Sequence, residues 1–251
     1  MFSLIETNPR VEIQESEYQR LLGYPKNHPL EGRARELAEG AQAWFAQQGR
    51  PWICAREISS LELQNGNASI DGVEFSSKKL RETLFEACAH SALLVAVSAG
   101  KECEEHAREL WEEGKPDEYF FLESYGSAVV EELITVASKH ICGWADENKM
   151  AALPHFSPGY SGWAFAEQLP LWSLFQKNFA GEFPGALEVL DSGMLRPKKS
   201  LLAVIGLTHD LEKARRLQKL IPCENCSLPE CQYRRAPYKR ARLRGESFRV
   251  S

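Results

Sequence analysis

The sequence predicts an α+β fold, with helices and strands mixed along the chain rather than alternating regularly as in a parallel sheet. Several stretches repeat apolar residues at helical spacing, several short stretches are rich in β-branched and aromatic residues, and no strand–helix–strand unit recurs. The 251 residues are enough for one large domain, or for one domain with a small appendage. A hydrophobic content of 43% and a charged content of 26% are typical of a soluble globular protein.

The N-terminal part predicts a helix followed by a hairpin. Apolar residues recur at helical spacing over residues 31–48, and Gly49-Arg50-Pro51 stops the pattern. Residues 52–62 and 68–75 are richer in β-branched and aromatic residues, and Asn65-Gly66-Asn67 between them is a turn signal. We therefore expect two strands joined by this turn.

The middle of the chain predicts a buried strand between helices. Residues 78–90 have a helical pattern, and the apolar run 92–99 is typical of a buried strand that ends at Gly100. Residues 101–113 predict an acidic, solvated helix. Pro116 is placed to begin a long helix that continues to about Ile141, because proline is favoured in the first helical turn.

The last predicted elements are a helix over 168–179, strands over 186–190 and 200–207, and a helix over 210–220. Thr208 or His209 is expected to cap that last helix, since threonine is a common N-cap residue.

Charge is distributed unevenly along the chain, whose net charge is −5. Residues 232–251 contain seven lysines and arginines and one glutamate, a net charge of +6, so residues 1–231 carry −11. A basic tail on an acidic body suggests a docking element or a tail that folds back on its own acidic face, and a solvated tail is the alternative.

Three of the seven cysteines, Cys223, Cys226 and Cys231, lie within nine residues. Their spacing allows two or three thiolates to reach one metal, which predicts an iron–sulfur cluster, with zinc or no metal as alternatives. A fourth ligand would come from Cys54, Cys142 or a histidine, or one metal position stays open. We therefore divide the chain into an α+β domain, residues 1–220, and a small cysteine-rich, metal-binding segment with the basic tail, residues 221–251.

Residues 155–168, His-Phe-Ser-Pro-Gly-Tyr-Ser-Gly-Trp-Ala-Phe-Ala-Glu-Gln, are the most informative stretch. Proline and glycine allow a tight backbone path there, so a flat ligand can approach between Tyr160 and Trp163. The alternative is an ordinary surface turn whose aromatics belong to the core.

Two further positions are candidate ligand contacts. Glu132 shares a helical stripe with Tyr125, Val129 and Val136, whereas Glu131 points about 100° away, so Glu132 requires a partner or a bound cation. The cations and hydroxyl of 196–200, Arg-Pro-Lys-Lys-Ser, suit a carboxylate or phosphate. A salt-bridged glutamate and a solvated turn are the plainer alternatives.

These motifs, in this order, resemble the activation domain of vitamin B12-dependent methionine synthase, and specifically its free-standing relatives. The family's Arg-x-x-Pro-Gly-Tyr segment is matched by His155–Tyr160, with histidine in place of arginine. Glu132 lies 23 residues before His155, and Pro197-Lys198-Lys199-Ser200 matches the family's Pro-x-x-Ser turn. The resemblance covers roughly residues 80–207.

The resemblance implies a twisted, mostly antiparallel sheet flanked by helices and a role in reductive activation of a corrinoid-dependent methyltransferase. The protein would present S-adenosylmethionine to the cobalamin of its partner, with an electron from a donor such as flavodoxin or ferredoxin. From the chemistry of iron–sulfur clusters, and not from the resemblance, the cysteine cluster could instead deliver the electron if it holds iron and sulfide. Glu132 would hold the amino group, and His155 would contact the carboxylate, more weakly and with pH dependence. Residues 155–163 form the stretch that we call the bend. Four residues of the bend and one of the Pro-x-x-Ser turn would complete the ligand site: Ser157, Pro158, Gly159, Tyr160 and Ser200.

Two other functions stay open. The chain could be an iron–sulfur redox or metallo-regulatory protein that keeps the fold without S-adenosylmethionine. It could also bind nucleic acid through its tail and a zinc knuckle, although the acidic body argues against this. No secretory signal or apolar run long enough to cross a bilayer is present, so we expect a cytoplasmic protein without membrane contact.

Overall fold

A computed structural model describes residues 1–25, 29–63 and 66–218. The strands are β1 (Ser3–Thr7), β2 (Trp52–Ile58), β3 (Leu61–Leu63), β4 (Ala68–Ile70), β5 (Val73–Phe75), β6 (Ser91–Ser98), β7 (Ala151–Ala152), β8 (Glu188–Val189), β9 (Leu195–Arg196) and β10 (Ser200–Thr208). The helices are α1 (Glu15–Leu21), α2 (Gly32–Gln48), α3 (Lys78–Glu86), α4 (Lys101–Glu112), α5 (Pro116–Glu147), α6 (Gln168–Phe179) and α7 (Leu211–Gln218). No helix in this described part of the chain is long and apolar enough to cross a membrane.

Five strands form one antiparallel sheet in the order β1-β2-β6-β10-β7. Ser98 at the end of β6 lies between Trp52 at the start of β2 and Ser200 at the start of β10. β6 and β10 are the central strands, and every residue of β6 is buried. The predicted α+β fold with a mostly antiparallel sheet flanked by helices is confirmed.

Apolar residues cover both faces of this sheet because side chains along a strand alternate between them. Leu93, Val95 and Val97 pack beneath α1, α2, α4 and α5, which we call the long-helix face. Leu94 and Ala96 pack on the opposite side against α3, α6 and α7, which we call the bend face. The central strands are therefore apolar throughout.

The predicted hairpin forms, but only from part of the predicted segments. β3 pairs with β4 and β4 with β5 in a separate small sheet, whereas residues 52–58 join the central sheet. Residues 52–62 therefore form two strands instead of one. Residues 59 and 60 separate β2, which pairs with β6, from β3, which pairs with β4. Gln64 and Asn65 lie outside the described residues.

Three helix predictions are corrected. The helix 101–113 is solvated on one side only, since Cys103, Ala107 and Leu110 are buried against the long-helix face. The long helix continues beyond Ile141 to Glu147, because Ala145 extends its buried stripe. Asp210 caps α7, not Thr208 or His209: its carboxylate accepts from the Lys213 amide at 3.0 Å.

Strand β1 and helix α1 have no counterpart in the sequence prediction. β1 pairs along its whole length with β2, and Tyr18 of α1 donates its hydroxyl hydrogen to the Phe121 carbonyl at 2.8 Å. Both elements are short and mostly polar, so they form because the sheet edge and α5 offer partners rather than through local pattern.

Candidate functional site

The Pro-Gly-Tyr segment lies beside the first half of β10 on the bend face. Phe156 forms an isolated antiparallel bridge with Val204, and their amide–carbonyl distances are 2.9 and 2.8 Å. The buried Ser157 hydroxyl donates to the Leu202 carbonyl at 2.7 Å. The segment thus continues the sheet edge beyond β7 before it turns away.

Hydrogen bonds within the bend use the backbone amides of Gly159 and Tyr160, two residues that were predicted to contact the ligand. The Gly159 amide donates to the Trp163 carbonyl at 3.0 Å, and the Tyr160 amide donates to the Ser157 carbonyl at 3.1 Å. Gly159 has φ of +94°, a conformation that side chains with a Cβ rarely adopt. The bend is therefore closed on itself, and Ser157 and Pro158 are buried.

Trp163 fixes the bend to the core of the same face. Its ring stacks on Phe156 at 5.4 Å and meets Phe75 edge to face at 5.6 Å. Its indole N–H donates to the Glu167 carboxylate at 2.5 Å, and that carboxylate also accepts from the Ser76 amide at 2.8 Å. Trp163 is thus a core residue, as the plainer interpretation of the sequence predicted.

His155 and Tyr160 form the solvent-facing part of the bend. The Nε2 atom of His155 and the Tyr160 hydroxyl oxygen are 3.1 Å apart, within hydrogen-bond distance. The Tyr160 side chain is 37% exposed, so one ring surface can meet a ligand. A phenol ring of this kind can face a sulfonium or ammonium ion.

A hollow of about 700 Å³ lies next to the Pro-x-x-Ser turn. It is formed between the start of α4 and the strands β8 and β9, where β6 ends and β10 begins. Charges of both signs line it, together with two apolar residues and the turn proline: Lys101, Arg108, Arg196, Glu104, Glu105, Glu188, Ala186, Leu187 and Pro197. Its volume falls within the roughly 300–1,000 Å³ of small-molecule sites, and its mixed charge suits a zwitterion.

Gly100 and Ser98 shape the floor of this end of the sheet. Gly100 has φ of +91°, and a Cβ there would lie 2.6 Å from the Arg50 carbonyl oxygen, so only glycine fits. The Ser98 hydroxyl accepts from the Gly100 amide at 3.1 Å, and Ser200 donates to it at 2.9 Å. Ser200 is therefore held in place three residues beyond Pro197.

The cations of the Pro-x-x-Ser turn already have anionic partners. Arg196 contacts the Glu188 carboxylate at 2.9 Å, and Lys198 and Lys199 contact Glu123 of α5 at 3.0 and 3.2 Å. Burial acts to lower the pKa of Lys198, but hydrogen bonding and charge from Glu123 outweigh it, so that pKa is raised. The turn is thus attached to α5, and its lysines bind an anion only in competition with Glu123.

Glu132 lies on the long-helix face, away from the bend. It borders a hollow of about 240 Å³ with Glu131 and residues 13, 14, 16 and 17 of the N-terminal region. Its carboxylate is 3.8 Å from the Lys139 ammonium. The structure does not bring Glu132 together with the Pro-Gly-Tyr bend, so the single crevice expected from sequence is not formed.

The predicted metal ligands Cys223, Cys226 and Cys231 lie outside the described residues, as does the domain 221–251 that contains them. Cys54, one candidate for a distant fourth ligand, is 0% exposed, and burial raises its thiol pKa to about 12. Burial also raises the pKa of Cys142, with a contribution from Asp146. Within residues 1–25, 29–63 and 66–218, no group of three or more histidine, cysteine or acidic residues is arranged to hold a metal.

The hollow beside Pro197 was not predicted from the sequence, because its residues come from α4 and from a hairpin far along the chain. The sequence gives only a weak signal for the hollow, namely the opposite charges of Glu188 and Arg196, which pair across β8 and β9. Gln168, the first residue of α6, is 3% exposed, and its Oε1 has no hydrogen-bond partner among the described residues.

No protein-family model matches this chain, and no curated protein matches it. A solved structure that does match is the crystal structure of the MetH reactivation domain bound to AdoHcy. The two share 12% sequence identity with a TM-score of 0.62, over 84% of this chain and 79% of the other. This similarity shows a shared fold, which is the fold that the sequence resemblance implied.

Proposed function

We propose that this protein binds S-adenosylmethionine and presents its methyl group to the cobalamin of a corrinoid partner during reductive reactivation. The observation that supports the proposal is the shared fold: 84% of this chain follows a reactivation domain that was solved with AdoHcy. The Pro-Gly-Tyr and Pro-x-x-Ser motifs add support, since both lie beside the first residues of β10.

The proposed reaction transfers one carbon and uses one electron. The bond between the sulfonium sulfur and the methyl carbon breaks while a cobalt–carbon bond forms, and S-adenosylhomocysteine is left. Cob(II)alamin needs one electron for this step, which we assign to a flavodoxin- or ferredoxin-type donor. The protein's contribution is to hold the methyl group in line with cobalt, so proximity and orientation provide the catalysis.

The side chains around the start of β10 fit a zwitterionic sulfonium ligand. Tyr160 would place its ring against the sulfonium. In the hollow beside Pro197, a carboxylate such as Glu104 would bind the ammonium group. Arg196 would bind the ligand's carboxylate in competition with its partner Glu188. Because the bend's own amides are used internally, the ligand contacts come from side chains.

His155 stands where the family has arginine. A guanidinium binds a carboxylate through two parallel hydrogen bonds, whereas an imidazole cannot. We therefore expect the His155 contact to be the weaker one. Titration of the natural protein and of His155→Arg with S-adenosylmethionine would measure this, and tighter binding by the arginine variant is the expected result.

Isothermal titration calorimetry with S-adenosylmethionine and S-adenosylhomocysteine tests the binding claim. Tyr160→Ala should weaken binding by about fivefold or more, since a partly desolvated cation–aromatic contact contributes about 1–2 kcal/mol. Glu132→Gln, on the other face, should change the dissociation constant less than twofold. Absence of heat at millimolar ligand would rule the proposal out.

A second candidate function is an iron–sulfur redox or metallo-regulatory protein that has kept the fold. The closure of the bend on itself and the separation of Glu132 from it favour this function, as does the group of three cysteines. Anaerobically purified protein should then contain iron and sulfide and should lose its visible absorbance in Cys226→Ser. A colourless protein with bound zinc would leave only the regulatory version.

A further inference from the structure

The tip of the hairpin between α4 and α5, residues 108–120, exposes aromatic side chains to solvent. Trp111 is 61% exposed and Phe120 is 47% exposed. The Trp111 ring meets the ring of Tyr119 edge to face, with centroids 5.2 Å apart. The tip therefore presents a wider aromatic surface than a single exposed side chain would.

Carboxylates surround these rings. Residues 101–120 contain eight aspartates and glutamates against three lysines and arginines, a net charge of −5. Glu109, Glu112 and Glu113 are exposed at the tip, and each has a local partner: His106 at 3.1 Å, Arg108 at 3.9 Å and Lys115 at 2.6 Å. Exposed pairs of this kind contribute little, so arginines of the tail can compete for these carboxylates. Carboxylates beside an indole suit arginine, which forms ion pairs and also stacks on aromatic faces.

We propose that the chain's own C-terminal tail, residues 232–251, binds to the α4–α5 tip. The tail contains six arginines and one lysine with a single glutamate, so its charge is opposite to that of the tip. The contact is independent of the S-adenosylmethionine proposal.

The length of the chain permits this contact. The described residues end at Gln218, and the fourteen residues from there to Gln232 can span up to about 46 Å. A compact domain of this size is on the order of 45 Å across, so a path over its surface to the far side is about 70 Å. The connection and the tail together, 33 residues, can span up to about 109 Å, so arginines in the second half of the tail can reach the tip from any starting face. Cys223, Cys226 and Cys231 lie within that connection, and binding of the tail would keep them close to the domain.

Cleavage of the full-length chain by trypsin tests the proposal, because each tail arginine is a cleavage site. The rate of loss of residues 232–251 is measured by intact mass, relative to a free peptide of the same sequence in a parallel tube. At about 20 mM salt we expect the tail of the intact protein to be cut roughly fivefold more slowly than the peptide. At about 0.5 M salt the difference should vanish, because salt screens exposed charges.

Two sets of matched variants locate the contact. Replacing Glu109, Glu112 and Glu113 with glutamine should remove most of the protection at low salt, and Trp111→Ala should reduce it about twofold. Replacing Glu62, Glu74 and Glu86, exposed carboxylates outside the tip, with glutamine should leave the protection unchanged. Circular dichroism confirms that each variant is folded.

Three results would overturn the proposal. The first is a tail cut as fast as the free peptide at low salt. The second is equal loss of protection in the tip variant and in the control variant. The third is protection that increases with protein concentration, which would assign the contact to the tail of a second copy.

Discussion

The Pro-Gly-Tyr bend and Glu132 are two of the three places at which the sequence predicted ligand contacts. They differ in how many of their polar groups form hydrogen bonds or ion pairs within the protein. In the bend, the amides of Gly159 and Tyr160 and the hydroxyl of Ser157 all donate within the protein. Glu132 lies at a shallow hollow on the other face, with Lys139 3.8 Å away. The bend thus has a mainly structural role at the edge of the sheet, and only its exposed side chains can contact a ligand.

Among the variants that test this comparison, Trp163→Ala should have the largest effect on the free energy of unfolding. Trp163 is buried between Phe156 and Phe75, so its removal should cost about 3–5 kcal/mol of the free energy of unfolding. Urea denaturation measures the loss. Leu169→Ala, which removes a 40% exposed side chain nearby, serves as the control and should cost less than about 1 kcal/mol.

Ser157→Ala should have the next largest effect. It leaves the buried Leu202 carbonyl without its hydroxyl donor, at a cost of about 1–2 kcal/mol. Ser173→Ala also removes a hydroxyl bond to a backbone carbonyl, but at an exposed position, and should change stability by less than about 0.5 kcal/mol. Equal effects in the two variants would mean that the bend is not closed as described.

His90, whose ring stacks on His209 with centroids 4.4 Å apart, should make the free energy of unfolding depend on pH. Burial, and then the charge of His209, lower the pKa of His90 in the folded protein. This contribution to stability is complete above the unfolded pKa of about 6.5 and is lost as the pH falls through the lowered pKa. Unfolding measured from pH 7.5 to 5 should therefore show a shallower decline in His90→Gln, whereas an unchanged slope would contradict the assignment.

The smallest effect is expected for Glu132→Gln. A partly exposed carboxylate with one distant cation contributes little, so the free energy of unfolding should change by less than about 0.5 kcal/mol. A loss above 1.5 kcal/mol in urea denaturation would show that Glu132 has a structural role that the contacts do not reveal.

The sequence pattern predicts the long or strongly periodic elements well and the short ones poorly. The boundaries of α6 agree with the predicted 168–179, and β6 differs from the predicted 92–99 by one residue at each end. Both have an apolar stripe or run that is complete within the segment. β1 and α1 lack such a local signal, and their structure depends on pairing with β2 and packing against α5.

The arrangement of the candidate site depends on the sheet face that each helix or loop covers. The local sequence pattern does not determine that face. Helical periodicity placed Glu132 beside an apolar stripe, and Val129 and Leu133 of the same helix are indeed buried on the long-helix face. Nothing in that periodicity indicates that Phe156 and Trp163 pack on the opposite face. The hollow beside Pro197 was not predicted either, since its carboxylates Glu104 and Glu188 are separated along the chain by all of α5, the bend and α6.

The central claim is that an adenosyl sulfonium ligand binds around the start of β10, at the exposed part of the bend and in the hollow beside Pro197. Photolabelling with 8-azido-S-adenosylmethionine followed by peptide mapping tests it directly. The account predicts label on peptides containing residues 155–168 or 186–200, with competition by unlabelled S-adenosylhomocysteine. Competed label confined to peptides around Glu132, or no competed label at all, would contradict it.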